Sequence, residues 1–291
     1  MKLVRIKITD SKGFRSLQSG FEHVFRSEWI LQDEFSNSPQ FTDRGFAPFV
    51  CAGPNGSGKS NILEAIAAIF YHMECMYLDT VPESFAYDEE NNPKGFRSDV
   101  AMPNGFELEY LIKTKEALKI KSLAGYAHVK IVKEPNKSPQ WFLLNSSEND
   151  SGITDITVGR TVGRDLLPDF VLGYSSGENE ILSLPFFKMR FIQFDEYWQS
   201  LKESLSYSGR PETRMVYMDN AFSQAILLCN MLYSQESTLK IFEVDMGLGD
   251  IQEFRIIIKR RIDITEEQAD ALGLDHFALD IDQDEKRYSL N

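Results

Sequence analysis

Gly53-Pro-Asn-Gly-Ser-Gly-Lys-Ser60 is the stretch on which the reading of this chain turns. It fits the pattern G-x-x-x-x-G-K-[ST]. Its flanks suit the pattern: residues 46–52 are a short apolar run that reads as a buried strand, and residues 59–76 read as a buried helix. Chemistry explains the spacing. Glycines let consecutive backbone N–H groups turn inward around a β-phosphate, and the helix starting near Lys59 adds the positive end of its dipole. Lys59 is expected to reach the β- and γ-phosphates, and the Ser60 hydroxyl to complete a Mg2+ shell. The expected nucleotide is ATP, because no guanine-reading N-K-x-D string occurs in the chain.

Composition narrows the partners. The chain has 291 residues, with 31 Lys plus Arg against 44 Asp plus Glu and a net charge of −13. Nucleic-acid binding is driven by basic side chains that neutralise phosphates, so a chain this acidic is not expected to coat DNA unaided. Any DNA contact would need a local patch, a partner or an oligomer. Three scattered cysteines (Cys51, Cys75, Cys229) and four scattered histidines fit neither a disulfide scaffold nor a zinc module. The N-terminus lacks the apolar core of a signal peptide, and no run approaches a membrane span, so a soluble cytoplasmic protein is expected.

Outward from the loop, Val4, Ile6 and Ile8 alternate with Arg5 and Lys7, the period of a half-buried strand. Residues 106–112, 126–132 and 140–144 read as further strands, the last two joined by a hairpin turn at Glu134-Pro-Asn-Lys137. Residues 32–44 read as a polar loop, and residues 82–105, rich in Asp, Glu, Asn and Pro, as a long mobile or functional one. Ile181, Leu184, Phe187, Phe191, Phe194, Trp198, Leu201 and Leu205 step by three and four, marking one face of a long helix. After a Ser-Gly-Arg-Pro linker (208–211) come a strand at Met215–Met218, a helix over 221–232 and a strand over 254–258.

ATP hydrolysis needs an Asp at a strand end for Mg2+, usually with a Glu beside it. Three strings compete. Phe191-Ile-Gln-Phe-Asp-Glu196 falls inside the long helix, where Asp195 and Glu196 are expected on a polar face. Met215-Val-Tyr-Met-Asp219 has strand character and makes Asp219 the candidate catalytic carboxylate, although helix capping by Asp219 or Asn220 explains the same residues. Phe277-Ala-Leu-Asp-Ile-Asp282 also reads as an acidic surface strand. Asp88, Glu89 and Glu90 are alternatives at the metal, or simply a solvated loop. Lys259-Arg-Arg261 is either a DNA-facing patch or a solvated edge.

The string Gly53-Pro-Asn-Gly-Ser-Gly-Lys-Ser-Asn-Ile-Leu-Glu-Ala65 resembles the Walker A motif of SMC, RecF and ABC-type ATPases. Gly13-Phe-Arg-Ser-Leu17 is similar to the element that follows their first strand. More narrowly, the chain resembles the restriction-system-associated AAA-family ATPases of bacterial defence loci, through Tyr174-Ser-Ser-Gly-Glu-Asn-Glu180 and Met215-Val-Tyr-Met-Asp-Asn-Ala-Phe-Ser-Gln224. The resemblance implies an α/β P-loop NTPase with an ABC/SMC-head-like mixed β-sheet around the Walker A helix. It divides the chain into a P-loop lobe with an antiparallel insertion (1–177) and a more helical portion (178–291). It implies nucleotide contacts from Gly53, Pro54, Asn55, Gly56, Ser57, Gly58, Lys59, Ser60, Asn61 and Arg15, with Mg2+ on Ser60. It also implies a homodimer closed around ATP, working with a nuclease or other restriction-system subunit. Ser175-Ser-Gly-Glu178 resembles a signature loop, and equally a capped helix start. Against ABC-type enzymes, no Gln occurs between Ser60 and Pro139. The alternatives are an ATP-bound scaffold or sensor without turnover, or the N-terminal half of a longer ATPase.

Overall fold

The alternation of Val4, Ile6 and Ile8 becomes β1 (Lys2–Ile8), with these three side chains buried and Arg5 and Lys7 half-buried between them. The computed structural model describes residues 1–27, 48–78, 81–113, 126–147, 154–156, 159–175, 179–202, 214–219, 222–249, 251–255, 262–264, 280–282 and 287–290. Next come β2 (Glu22–Val24), α1 (Lys59–Cys75), β3 (Phe106–Lys113), β4 (Tyr126–Lys133), β5 (Gln140–Leu143) and β6 (Thr154–Ile156). The six strands form one sheet in the order β2-β1-β3-β4-β5-β6. Every pairing in it is antiparallel. The expected hairpin turn is present: the N–H of Lys137 donates to the Glu134 carbonyl at 3.1 Å.

One face of this sheet meets α1. Ile6, Ile8, Phe106, Leu108, Tyr110, Val129, Ile131, Trp141 and Leu143 share a core with Ile62, Ala65, Ile69, Phe70 and Met73. Burial of each large side chain there contributes about 1.5–3 kcal/mol. On the opposite face Arg5 spans three strands, reaching Glu107 and Glu109 at 2.6 Å each and Glu22 at 3.1 Å, and Lys130 pairs with Glu107 at 2.9 Å. Such cross-strand pairs fix register on a wet face, where a one-residue slip would bury the charges.

Next in the chain are α2 (Arg160–Leu166), β7 (Val171–Tyr174), α3 (Glu180–Lys202) and β8 (Met215–Met218), with β7 and β8 paired as a two-stranded sheet. Arg214, directly before β8, ties these pieces to α1. Its Nη2 donates to the carbonyls of Arg164, Leu167 and Pro168 at 3.1, 3.1 and 2.7 Å, while its Nε faces Glu74 Oε1 at 3.6 Å. Burial raises the Glu74 pKa, and Arg214 and Arg164 work against that rise.

The chain divides into two compact units, residues 1–196 with 210–217, and residues 197–209 with 218–291. The expected boundary at 177/178 therefore moves, because Leu182, Phe186, Met189 and Ile192 of α3 belong to the first unit's core. In the second unit lie α4 (Ser223–Tyr233), α5 (Glu236–Met246) and an antiparallel sheet of β9 (Ile262–Ile264), β10 (Asp280–Asp282) and β11 (Arg287–Leu290), ordered β10-β11-β9.

Several expectations change. Residues 48–52 are not a buried strand: Val50 is 82% exposed, and the Phe49 ring packs edge-on against His23 and Phe25 at 5.3 and 4.9 Å. Of the stripe read along α3, Phe191 and Phe194 are exposed, 71% and 58% accessible. Glu196, expected on a polar face, is buried. Phe254 and Arg255 are not in a strand. Residues 82–105 are built rather than loose: Phe85 and Phe96 stack at 5.2 Å, and the buried Lys133 ammonium donates to the Asp99 and Asn104 carbonyls at 2.8 and 3.2 Å. The stretch 32–44, the linker 208–211, residues 176–178 of the signature-like loop, the strand residues 256–258 and Lys259-Arg-Arg261 lie outside the described residues.

Arg214→Ala leaves three carbonyls without their donor and Glu74 without its cation. The expected result is a loss of about 2–4 kcal/mol, read as a lower urea midpoint at unchanged m-value. A second expectation concerns acid. His72 on α1 faces the Ser98 carbonyl at 3.1 Å, and burial pushes its pKa down to about 4. The folded value lies below the unfolded value of about 6.5. Its contribution is therefore full above that pH and is lost as pH falls through about 4, by an amount on the order of 3 kcal/mol. His72→Gln should flatten the decline of stability between those limits.

Candidate phosphate-binding site

The loop of residues 53–60 leads straight into α1, and its backbone has the conformations that its glycines permit. Gly56 and Gly58 sit at φ +81° and +88°, a region costly for any residue with a Cβ. Gly58 is also crowded: a Cβ there would lie 3.1 Å from Leu17 Cδ2 and 3.4 Å from Ser16 Oγ. Gly58 is the N-cap of α1 and carries no side-chain capping bond. The N–H of Ser57 donates to the Pro54 carbonyl at 3.3 Å and that of Ile62 to the Gly58 carbonyl at 3.1 Å. Among the described residues, no backbone carbonyl receives the N–H of Gly56, Gly58, Lys59 or Ser60. Those orphan donors, at the positive end of a 17-residue helix, fit an anionic ligand.

Lys59 bends back over the loop. Its Nζ donates to the carbonyls of Gly53 and Pro54, each at 2.7 Å. A phosphate oxygen offers a stronger, charge-assisted acceptor than either neutral carbonyl, so the ammonium can exchange partners on ligand binding. Ser60 and most of the loop are exposed, leaving the site open. Among the described residues no cluster of His, Cys, Asp and Glu is arranged to hold a metal by itself. A Mg2+ here would be held by the Ser60 hydroxyl together with ligand oxygens.

The element Gly13-Phe-Arg-Ser-Leu17 meets this loop. Phe14 and Leu17 exchange both backbone hydrogen bonds, at 2.8 and 2.9 Å, which leaves Arg15 and Ser16 at the tip of a tight turn. Arg15 adopts φ +56°. Asn61 Nδ2 donates to Ser16 Oγ, and Arg15 Nε faces Glu64 Oε2 at 3.6 Å. Asn61, Arg15 and the loop are thus gathered at one end of α1. Ser16 and Glu64 were passed over in the sequence. The signal for Glu64 was a lone acid among Ile62, Leu63, Ala65 and Ile66.

Asp195 and Asp88 accept hydrogen bonds from other parts of the first unit. Asp195 and Glu196 lie within α3, and Asp195 Oδ2 accepts a hydrogen bond from Ser84 at 3.0 Å. Asp88 is consumed locally, accepting the N–H groups of Glu90 and Asn91 at 2.9 and 2.7 Å, which holds its pKa low. Asp219 stands at the end of β8 and belongs to the second unit. The N-cap of α4 is Phe222, whose N–H donates to the Asp219 carbonyl at 3.1 Å.

Gly58→Ala places a Cβ in the left-handed region and against Leu17. It should cost about 1–2 kcal/mol of stability from backbone strain alone and abolish polyphosphate binding, as read by calorimetric titration against the wild type.

No helix among the described residues is long and apolar enough to cross a membrane. No family model, curated protein or solved structure matches this chain.

Proposed function

We propose that this chain binds ATP, with Mg2+, at residues 53–60, and that it is the P-loop ATPase subunit of a bacterial restriction or anti-phage system. The observation that carries the nucleotide reading is the coincidence of motif and geometry. The G-x-x-x-x-G-K-[ST] string stands at the start of a buried helix, with two glycines at positive φ and Lys59 folded over the loop. In this reading Gly53, Pro54, Asn55, Gly56, Ser57, Gly58 and Lys59 surround the phosphates. Ser60 holds Mg2+, and Asn61 and Arg15 stand beside them. The wider role rests on the resemblance of residues 174–180 and 215–224 to defence-locus ATPases. It consists of ATP-dependent pairing of two copies and control of a DNA-acting partner. The charge of −13 supports a partner or composite surface for any DNA contact.

A second reading has an observation of its own. Asp195 and Glu196 lie within a helix and not at a strand end, and Asp219, at the end of β8, belongs to the other unit. A protein that binds ATP without turning it over accommodates that arrangement directly.

Titration with Mg-ATP and measurement of phosphate release separate the readings. Lys59→Ala should weaken ATP binding by about 100-fold. Equal binding by wild type and variant would remove the nucleotide reading. Tight, Lys59-dependent binding with no phosphate release, even with DNA and the partner subunit present, would select the second one.

A further inference from the structure

We propose that Glu64 is a positioning residue for Arg15, holding the guanidinium by its Nε edge so that both terminal nitrogens face a phosphate of the bound nucleotide. The inference rests on the nucleotide reading of residues 53–60 and adds to it a residue that the loop motif does not contain.

Three observations converge. First, the Arg15–Ser16 turn is fixed to α1: Phe14 and Leu17 are buried in the core, Asn61 holds Ser16, and Leu17 abuts Gly58. Asn61 and Glu64 are three residues apart on one helix face, so consecutive turn residues meet consecutive positions of the same stripe. Second, the Glu64 side chain is 7% exposed, and among the described residues its Oε2 has no hydrogen-bond donor, with Arg15 Nε as the cation 3.6 Å away. A buried carboxylate with a single ionic partner is a poor stabiliser, since desolvation offsets most of the attraction. An apolar residue would serve the core around Ile62 and Ala65 better. Third, the Arg15 side chain is 45% exposed, and its Nη1 and Nη2 have no protein partner among the described residues. The Phe14 ring centroid lies 5.8 Å from its guanidinium carbon. A guanidinium held on one edge offers the other as a planar fork, the geometry that pairs two parallel N–H groups with phosphate oxygens.

The test is a double-mutant cycle on Mg-ATP affinity, with thermal unfolding of every variant as the control for folding. Arg15→Ala should weaken binding about tenfold, and Glu64→Gln, which keeps shape but loses charge, about three- to tenfold. The double variant should bind no more weakly than Arg15→Ala alone. Glu64→Asp should restore part of the affinity lost in Glu64→Gln, a recovery that a purely structural role would not give at equal unfolding temperatures. Wild-type or tighter binding by Glu64→Gln, or penalties that multiply in the double variant, would overturn the inference. Lys59→Ala distinguishes the failures. If its affinity equals the wild type, the nucleotide reading itself falls; if binding needs Lys59 but ignores Glu64, this inference alone falls.

Discussion

A helix that buries Ile62, Ala65, Ala67, Ile69, Phe70 and Met73 has to find apolar partners along most of its length, and α1 finds them on the inner face of an antiparallel sheet. That packing fixes where its first turn can be. The sheet holds the middle of the helix through Leu108, Tyr110 and Val129, while Arg214 and Glu74 secure its C-terminal end. The N-terminal end is left open, with N–H groups that no backbone carbonyl among the described residues receives. A helix start normally spends a capping side chain on those donors. Here Gly58 occupies the capping position and offers none. The unmet donors and the dipole are therefore available to an anion, and the rest of the site is arranged around that vacancy of acceptors.

The turn at residues 13–17 is the second consequence. It descends from β1, whose register is set by the alternation of Val4, Ile6 and Ile8 and by the Arg5 ladder on the far face. Because β1 and α1 share one core, the chain leaving β1 is delivered to the start of α1. Leu17 then packs on Gly58 and Ser16 meets Asn61. The basic groups on either side of the loop, Lys59 and Arg15, are thus positioned by the same core that buries the helix.

Much of the first unit was legible because its signals are local. Period-two alternation located β1 and β3, the hairpin turn at 134–137 marked the strands β4 and β5 on either side of it, and a long apolar run located α1. Misreadings arose where one local pattern allows two tertiary outcomes. In α3, Ile181, Leu184, Phe187 and Phe191 have helical spacing, but so do Leu182, Phe186, Met189 and Ile192, and the second stripe is the buried one. Periodicity identifies the helix; it does not choose between two apolar faces. Phe49 and Val50 look like strand residues, yet Phe49 spends its ring on His23 and Phe25, a contact no window of sequence contains. Glu64 stands out in the sequence only as a lone acid in an apolar run; its meaning depends on Arg15, 49 positions earlier.

The central claim is that the open end of α1 is a nucleotide-phosphate site that includes the Arg15–Ser16 turn. Amide hydrogen exchange of the full chain, with and without saturating Mg-ATP, addresses it most directly. The account predicts slowed exchange concentrated at residues 53–61 and 13–17, with the sheet amides of β3 and β4 unchanged. Unaltered exchange in both segments at saturating Mg-ATP, or protection confined to other parts of the chain, would contradict it.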